Sequence, residues 1–199
     1  EEQSGPIAWQ GHSDTEVILE AVSRWGVEAT LQRLNGMFAA ALWDQQERRL
    51  FLFRDRAGKK PLYYGWLGGI FFFASELKAL LRHPAIAAEI DPASLSRYLL
   101  FEYVPAPYCL IKDVRKLEAG CLLSFKNGRV AHERYWDIGF QTSTSFTCEH
   151  EAAAGLKQNL RNAVERHLES DVPLGVFLSG GIDSSALVAF MSELRPAHD

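Results

Sequence analysis

Four short apolar runs, at residues 37–43, 50–54, 61–67 and 70–74, follow one another with only hairpin-length connectors between them. The last connector, Gly68-Gly69, reads as a two-residue turn. Sequential hairpins build an antiparallel sheet, and such a sheet with one wet face alternates apolar and polar residues. Phe38-Ala39-Ala40-Ala41-Leu42-Trp43 and Ile70-Phe71-Phe72-Phe73 do not alternate. Both faces of these strands must therefore be covered, by helices or by a second sheet. The alanines let the covering layer come close.

Helical patterns flank this region. Ser13-Asp14-Thr15-Glu16 has the Ser-x-x-Glu form of a capping box. Val17, Ile18, Ala21, Val22 and Trp25 then form an apolar stripe that Gly26 can end. An acid in the first turn favours the helix dipole, and on pattern alone that is the role of Asp14. A second short helix is expected over residues 28–34. Ser75 opens another, expected to reach about residue 82 before Pro84. Asp91-Pro92 starts one that carries Leu95, Tyr98, Leu99 and Leu100. Pro105 and Pro107 stiffen a loop. Asn127-Gly128, between residues 121–126 and 129–135, is a strong hairpin signal. Residues 141–147 are rich in Ser and Thr and read as a linker. Residues 150–169 form an amphipathic pattern with Leu156, Leu160, Ala163, Val164 and Leu168 on one face.

Charged and reactive residues exclude several classes. Arg54-Asp55-Arg56 and Lys59-Lys60 interrupt the apolar region. Two readings stand: a charged turn facing water, with ion pairs worth ~0–1 kcal/mol each, or an ion-paired loop at the edge of a pocket. Ser75-Glu76-Leu77-Lys78 fits the Ser-x-x-Lys of penicillin-recognising hydrolases, but the Ser-Asp-Asn and Lys-Thr-Gly they require do not occur. Ser75 is read as a helix cap. The six histidines are scattered and no zinc-hydrolase spacing occurs, so no metal ligands are assigned. Cys109, Cys121 and Cys148 are odd in number and form no Cys-x-x-Cys, which suggests neither a disulfide framework nor a zinc site. The net charge of −4 comes without a basic stripe, which argues against nucleic acid. The apolar runs, residues 70–74 among them, are too short to span a membrane, and the acidic N-terminus is no signal peptide. A cytoplasmic protein with reduced cysteines is the expectation.

Near the C-terminus the period changes again. Gly175-Val176-Phe177-Leu178 has the look of a buried parallel strand. Ser179-Gly180-Gly181 breaks it, and Asp183, Ser184 and Ser185 are all good N-cap residues. Ala186, Leu187, Phe190, Met191 and Leu194 follow at helical spacing. A strand, a glycine turn and a helix start make an anion site, with phosphate the usual tenant. The lysine of a Walker A loop is absent. A lone Gly-Gly would be an ordinary turn capped by Asp or Ser. The full run Ser-Gly-Gly-Ile-Asp-Ser-Ser instead resembles the pyrophosphate loop of enzymes that split ATP into AMP and pyrophosphate. The expected ATP-binding residues are Leu178, Ser179, Gly180, Gly181, Asp183, Ser184 and Ser185.

In this order the pieces resemble glutamine-hydrolysing asparagine synthetases over nearly the whole chain. His12-Ser13-Asp14-Thr15-Glu16-Val17-Ile18 is similar to the family's Ser-Asp-x-Glu-Val-Ile segment. Leu34-Asn35-Gly36-Met37-Phe38-Ala39, Arg54-Asp55-Arg56 with Lys60-Pro61-Leu62-Tyr63-Tyr64, and Phe73-Ala74-Ser75-Glu76 resemble the second half of its glutaminase domain. Tyr103-Val104-Pro105 and Lys116-Leu117 with Gly120 resemble its connector, and residues 179–185 its pyrophosphate loop. The resemblance implies an α+β then α/β chain. Residues 1–90 would be the second half of an N-terminal-nucleophile hydrolase (αββα) domain. Residues 91–148 would be a connector with a hairpin. Residues 149–199 would be the first strand, loop and helix of a parallel-sheet ATP pyrophosphatase domain.

It also implies roles. Asp14 would hold the α-ammonium of substrate glutamine, which displaces the dipole reading. An N-terminal cysteine attacks the glutamine amide and releases ammonia. The second half adenylates the aspartate side chain with ATP, and ammonia displaces AMP. Asp183 would lie near the accompanying Mg²⁺. The resemblance allows a homodimer without requiring one. Residue 1 is Glu, and no internal cysteine has a free α-amino group, so no catalytic nucleophile is assigned. The chain is expected to be an internal fragment that alone neither hydrolyses glutamine nor makes asparagine. Ala57 stands where the family usually has a bulky residue, which questions the packing of that loop. Two alternatives remain: a relative of the β-lactam-synthetase or peptide-cyclising kind, and a non-catalytic domain that binds glutamine or nucleotide.

Overall fold

The computed structural model describes residues 9–11, 13–139, 146 and 148–195. His12 and most of the 141–147 linker lie outside the described residues. The chain divides into two compact units, Glu1–Ile138 and Gly139–Asp199.

In the first unit, α1 (Asp14–Trp25) starts on Ser13, whose Oγ accepts the Thr15 N–H at 3.2 Å. The capping box is looser than its sequence suggests. The Glu16 carboxylate reaches past Ser13 and accepts the N–H groups of Gln10 and Gly11 at 2.8 and 2.9 Å. Gly26, at φ +79°, ends α1 and starts α2 (Val27–Arg33) without a side-chain cap. The strands are β1 (Ala39–Asp44), β2 (Arg49–Arg54), β3 (Tyr63–Leu67), β4 (Ile70–Ala74), β5 (Val114–Lys116), β6 (Cys121–Lys126) and β7 (Arg129–Arg134). They form two antiparallel sheets, ordered β1-β2-β6-β7 and β4-β3-β5. Gly68-Gly69 and Asn127-Gly128 turn their hairpins with all four residues at positive φ, as two-residue turns of this kind require.

Side-chain alternation decides the layers. Leu50 and Leu52 on β2, with Cys121, Leu123 and Phe125 on β6, point to one face and pack on Tyr64 and Phe71 of the second sheet and on Leu62 just before β3. Their neighbours Phe51, Phe53 and Leu122 point to the other face and meet Leu31, Ile18 and Val27 from the two helices. The second sheet has its own outer cover. Tyr63, Phe72 and Val114 pack on Leu77, Leu80 and Leu81, with Ile86 from the loop after them and Cys109 and Ile111 from the segment before β5. The order is helix layer, sheet, sheet, helix-and-loop layer. Both faces of β2 and β6 are lined by these clusters, while on the runs that lack alternation Trp43 of β1 and Ile70 and Phe73 of β4 stay exposed. Each fully buried leucine contributes ~2 kcal/mol relative to exposure.

The helix expected from Ser75 to about residue 82 is shorter. Its regular part, α3, is Leu77–Leu80, Glu76 is its N-cap, and Ser75 caps nothing. The chain then tightens into turns in which the N–H groups of Arg82 and His83 reach the carbonyls of Ala79 and Leu80. In α4 (Pro92–Phe101) the expected cap is formed: Asp91 accepts the N–H groups of Ala93 and Ser94 and the Ser94 hydroxyl. Those bonds, the Ser94 hydroxyl first, lower the Asp91 pKa. Residues 91–136 run back into both sheets, supplying β5 to one and the β6–β7 hairpin to the other.

The second unit contains α5 (Glu149–His167) and α6 (Ile182–Leu194). They pack through Val164, Leu168 and Phe190. Leu156 and Leu160, expected on the same buried face, are exposed. The parallel strand expected at residues 175–178 is not formed. These residues pair with no described strand, and Phe177 is 99% exposed. A parallel strand takes its hydrogen bonds from neighbours, and an apolar run without them has nothing to pack on.

Candidate functional site

Two places gather the residues singled out by sequence, one in each unit. The first lies where α1 begins. Asp14 is the first residue of the helix, and its carboxylate opens on a cleft of about 520 Å³. Met37 and Phe38, just before β1, form one side of it, and Lys60, Ser75 and Glu76 another. Glu76 is held by Lys78 at 2.7 Å. The cleft thus combines two carboxylates, one ammonium, the hydroxyl residues Thr15 and Ser75, and an apolar wall. Such a set suits a small zwitterion.

The Lys60 wall is fixed from below by Arg54 and Asp55. Asp55 is 1% exposed, and its carboxylate accepts the backbone N–H groups of Ala57, Lys59 and Lys60 at 3.1, 2.9 and 3.0 Å. Arg54 donates to the carbonyls of Lys60, Leu117 and Gly58 at 2.7, 2.6 and 2.5 Å. Neither sequence reading of this cluster holds in full. Asp55, Arg54 and Arg56 bond to backbone groups, those of residues 57–60 together with Leu117 and Gln32, rather than to each other. Gly58 sits at φ +63°, with the place of its missing Cβ 3.1 Å from Ala119 and Arg54, so the turn needs glycine there. Ala57 is exposed, and the loop is held by its backbone, so a bulky residue at that position is not needed for closure. Arg56 donates to the Gln32 carbonyl at 2.6 Å, which ties the loop to the end of α2. The Tyr135 hydroxyl donates to the Arg54 carbonyl at 2.7 Å. Its pKa is pushed up to about 12, first by burial and then by the Asp55 charge.

No cysteine lines this cleft among the described residues. Cys109 and Cys121 are buried, and burial raises both thiol pKa values. Neither is a nucleophile as placed. Sequence reasoning named Asp14 but missed Lys60 and Glu76 as its neighbours. Both were visible only as charges inside motifs.

The second place is the glycine turn of the second unit. Gly180 takes φ +79°, and α6 is capped by Gly181, ahead of the expected caps Asp183, Ser184 and Ser185. The cap residue offers no side chain to the first turn of α6, whose N–H groups after Gly181 stay open to a ligand. Asp183 lies in the first turn. Three bonds set the turn: Ser179 Oγ to Ser184 Oγ at 3.0 Å, Ser184 Oγ to the Gly181 carbonyl at 3.1 Å, and the Gly181 N–H to Ser179 Oγ at 3.4 Å. Leu178 and Ser185 border it. Among the described residues no group of three or more His, Cys, Asp or Glu could hold a metal ion. None of the described helices is long and apolar enough to cross a membrane.

With this geometry in hand, the relatives can be placed. Residues 2–136 match the glutamine amidotransferase domain, and the chain belongs to that family. Residues 155–198 match asparagine synthase. The chain is 38% identical over 179 residues to asparagine synthetase [glutamine-hydrolyzing] 3 of Bacillus subtilis strain 168, covering 89% of this chain and 28% of that protein. It is 36% identical over 189 residues to asparagine synthetase [glutamine-hydrolyzing] 1 of the same organism, covering 93% and 29%. The chain thus spans less than a third of the length of these relatives. Among solved structures, glutamine phosphoribosylpyrophosphate amidotransferase from B. subtilis aligns at a TM-score of 0.44 and 20% identity, over 96% of this chain and 39% of that one. So loose a superposition supports no argument.

Proposed function

We propose that this chain is part of an ATP-dependent amide-forming ligase that makes asparagine from aspartate, with ammonia drawn from glutamine. The observation that carries the reading is the succession on one chain of an amidotransferase match and an asparagine synthase match. In this reading the first unit is part of an N-terminal-nucleophile hydrolase domain, and its helix-sheet-sheet-helix layering supports that assignment. The Asp14 carboxylate holds the α-ammonium of glutamine. The Arg54-Asp55 loop keeps Lys60 and the cleft wall in place, so glutamine meets a site that needs little reorganisation. The cleft binds and orients, and the nucleophile is not among its described residues.

The glycine turn serves the second half-reaction. The open N–H groups at the start of α6, with Ser179, Ser184 and Ser185, hold the departing pyrophosphate of ATP. Gly180 and Gly181 let the backbone approach the phosphates, and Leu178 borders them. Adenylation gives the aspartate carboxylate a leaving group, which ammonia then displaces. The single carboxylate of Asp183 beside phosphate oxygens fits Mg²⁺, which is commonly held by one or two carboxylates and the substrate phosphates. When bound, Mg²⁺ neutralises phosphate charge as AMP and pyrophosphate separate. Residues 175–178 become a strand once neighbouring strands supply partners.

Asp14→Asn in the full-length ligase tests the reading. Glutamine-dependent asparagine formation should fall about 100-fold in kcat/KM, as expected for a lost charged contact. Ammonia-dependent formation, with AMP and pyrophosphate released, should be unchanged. Equal loss with both nitrogen sources would remove Asp14 from the glutamine site. Absence of AMP formation in the unsubstituted ligase would sink the reading as a whole.

A further inference from the structure

A cleft of about 300 Å³ opens where β3 and β5 of one sheet face β7 of the other. No role proposed above uses it. Its floor is aromatic. Trp66 and Phe71 stand with ring centroids 6.2 Å apart, and both pack on Phe125, at 4.9 and 4.6 Å. Its wall is polar: the His132 Nε2 atom lies 3.3 Å from the Tyr64 hydroxyl. Burial, and secondarily the Arg115 charge, lower the His132 pKa, so this pair is uncharged at neutral pH.

The rim carries opposite charges, Asp113 and Arg115. The Arg115 guanidinium has no hydrogen bond or ion pair among the described residues. The neighbouring acid, Glu118, is engaged by Arg134 at 3.3 Å. Lys112, next to Asp113, is engaged by Glu89 at 3.0 Å. An adjacent cleft of about 270 Å³ also borders Asp113 and Arg115, but its own acid, Asp91, is consumed in capping α4.

A simple anion on Arg115 is opposed by Asp113, and a simple cation on Asp113 is opposed by Arg115. A ligand with both charges close together satisfies the two at once, and the floor asks for a ring. The volume lies at the lower end of the range for small-molecule pockets, which favours a ligand of amino-acid size. We propose that this cleft binds a free aromatic α-amino acid. Its carboxylate is held by Arg115, its α-ammonium by Asp113, and its ring by Trp66 and Phe71. The proposal is independent of the ligase reading.

Isothermal titration of the 199-residue chain with L-phenylalanine, 3-phenylpropionate and 2-phenylethylamine tests it. L-Phenylalanine should bind, and each analogue, lacking one charge, should bind at least about tenfold more weakly. Arg115→Gln and Asp113→Asn should each weaken L-phenylalanine binding about tenfold while leaving the circular dichroism spectrum unchanged. Three results overturn the proposal: no binding of L-phenylalanine at about 10 mM, far weaker than charge-paired recognition gives; 3-phenylpropionate binding as tightly; or Arg115→Gln binding like the unsubstituted chain.

Discussion

The buried carboxylate of Asp55 organises the loop at residues 55–60, and replacing it gives a worked test of that statement. Its two oxygens accept three N–H groups, two at Oδ1 and one at Oδ2. Asp55→Asn can set its amide oxygen at the Oδ1 position and keep the Ala57 and Lys59 N–H groups as partners. Its NH₂ group then faces the Lys60 N–H, so one charge-assisted bond is lost and a donor is left unmet. Such a loss costs ~1.5–3 kcal/mol. Asp55→Ala strips all three donors and should cost more, roughly 3–5 kcal/mol, as for other broken buried networks. Urea unfolding followed by tryptophan fluorescence reads both. With a slope of about 2 kcal/mol/M, the midpoint should fall by about 1 M for Asn and about 2 M for Ala. A shift below about 0.25 M for Asn, or no difference between the two variants, would refute the view that these bonds hold the loop.

Two further outcomes follow from the packing. A Cβ on Gly65 would lie 2.4 Å from the Phe72 ring and 2.5 Å from the Asp113 carbonyl, so Gly65→Ala should destabilise the first unit by ~2–3 kcal/mol in thermal melts; a neutral change would mean that β3 and β5 separate freely. Tyr135 keeps its proton in the fold up to about pH 12 against 10.0 for the free side chain. Its contribution is therefore fully present below pH 10 and is lost as pH rises through about 12. Stability measured across that window should fall, and Tyr135→Phe should flatten the fall. An unchanged slope would remove Tyr135 from the titration.

Much of the fold was legible because periodicity reports burial. The unbroken apolar runs at residues 38–43 and 70–73 called for cover on both faces, and the structure supplies it in part: Phe38, Ala40 and Leu42 pack with the helices and Phe71 and Phe72 join different clusters, but Trp43, Ile70 and Phe73 stay exposed. Gly68-Gly69, Asn127-Gly128 and Asp91-Pro92 carried their turn and cap chemistry locally, so they could be read locally. Pairing over long distance could not. Nothing in residues 121–126 says that Leu123 lies opposite Leu52, because periodicity shows which face is buried and not against what. The same limit hid the contact of Tyr64 with His132 and the gathering of Lys60 and Glu76 beside Asp14. The run at residues 175–178 marks the opposite failure. Its residues favour a strand, but a strand exists only with partners, and propensity yields where none is described.

The hydrogen bonds around Gly120 have a mechanical side. The Gly120 N–H is anchored on the Asp55 carbonyl at 3.0 Å, and the Gly120 carbonyl accepts the N–H groups of Tyr135 and Trp136 at 2.9 and 3.2 Å. The Tyr135 hydroxyl adds a direct tie to Arg54. A tug on the chain beyond Ile138 therefore meets these four hydrogen bonds first. Their far end is the loop that holds Lys60 against the Asp14 cleft. Slack or tension in the chain leaving the first unit is felt at that wall before any strand has to slide.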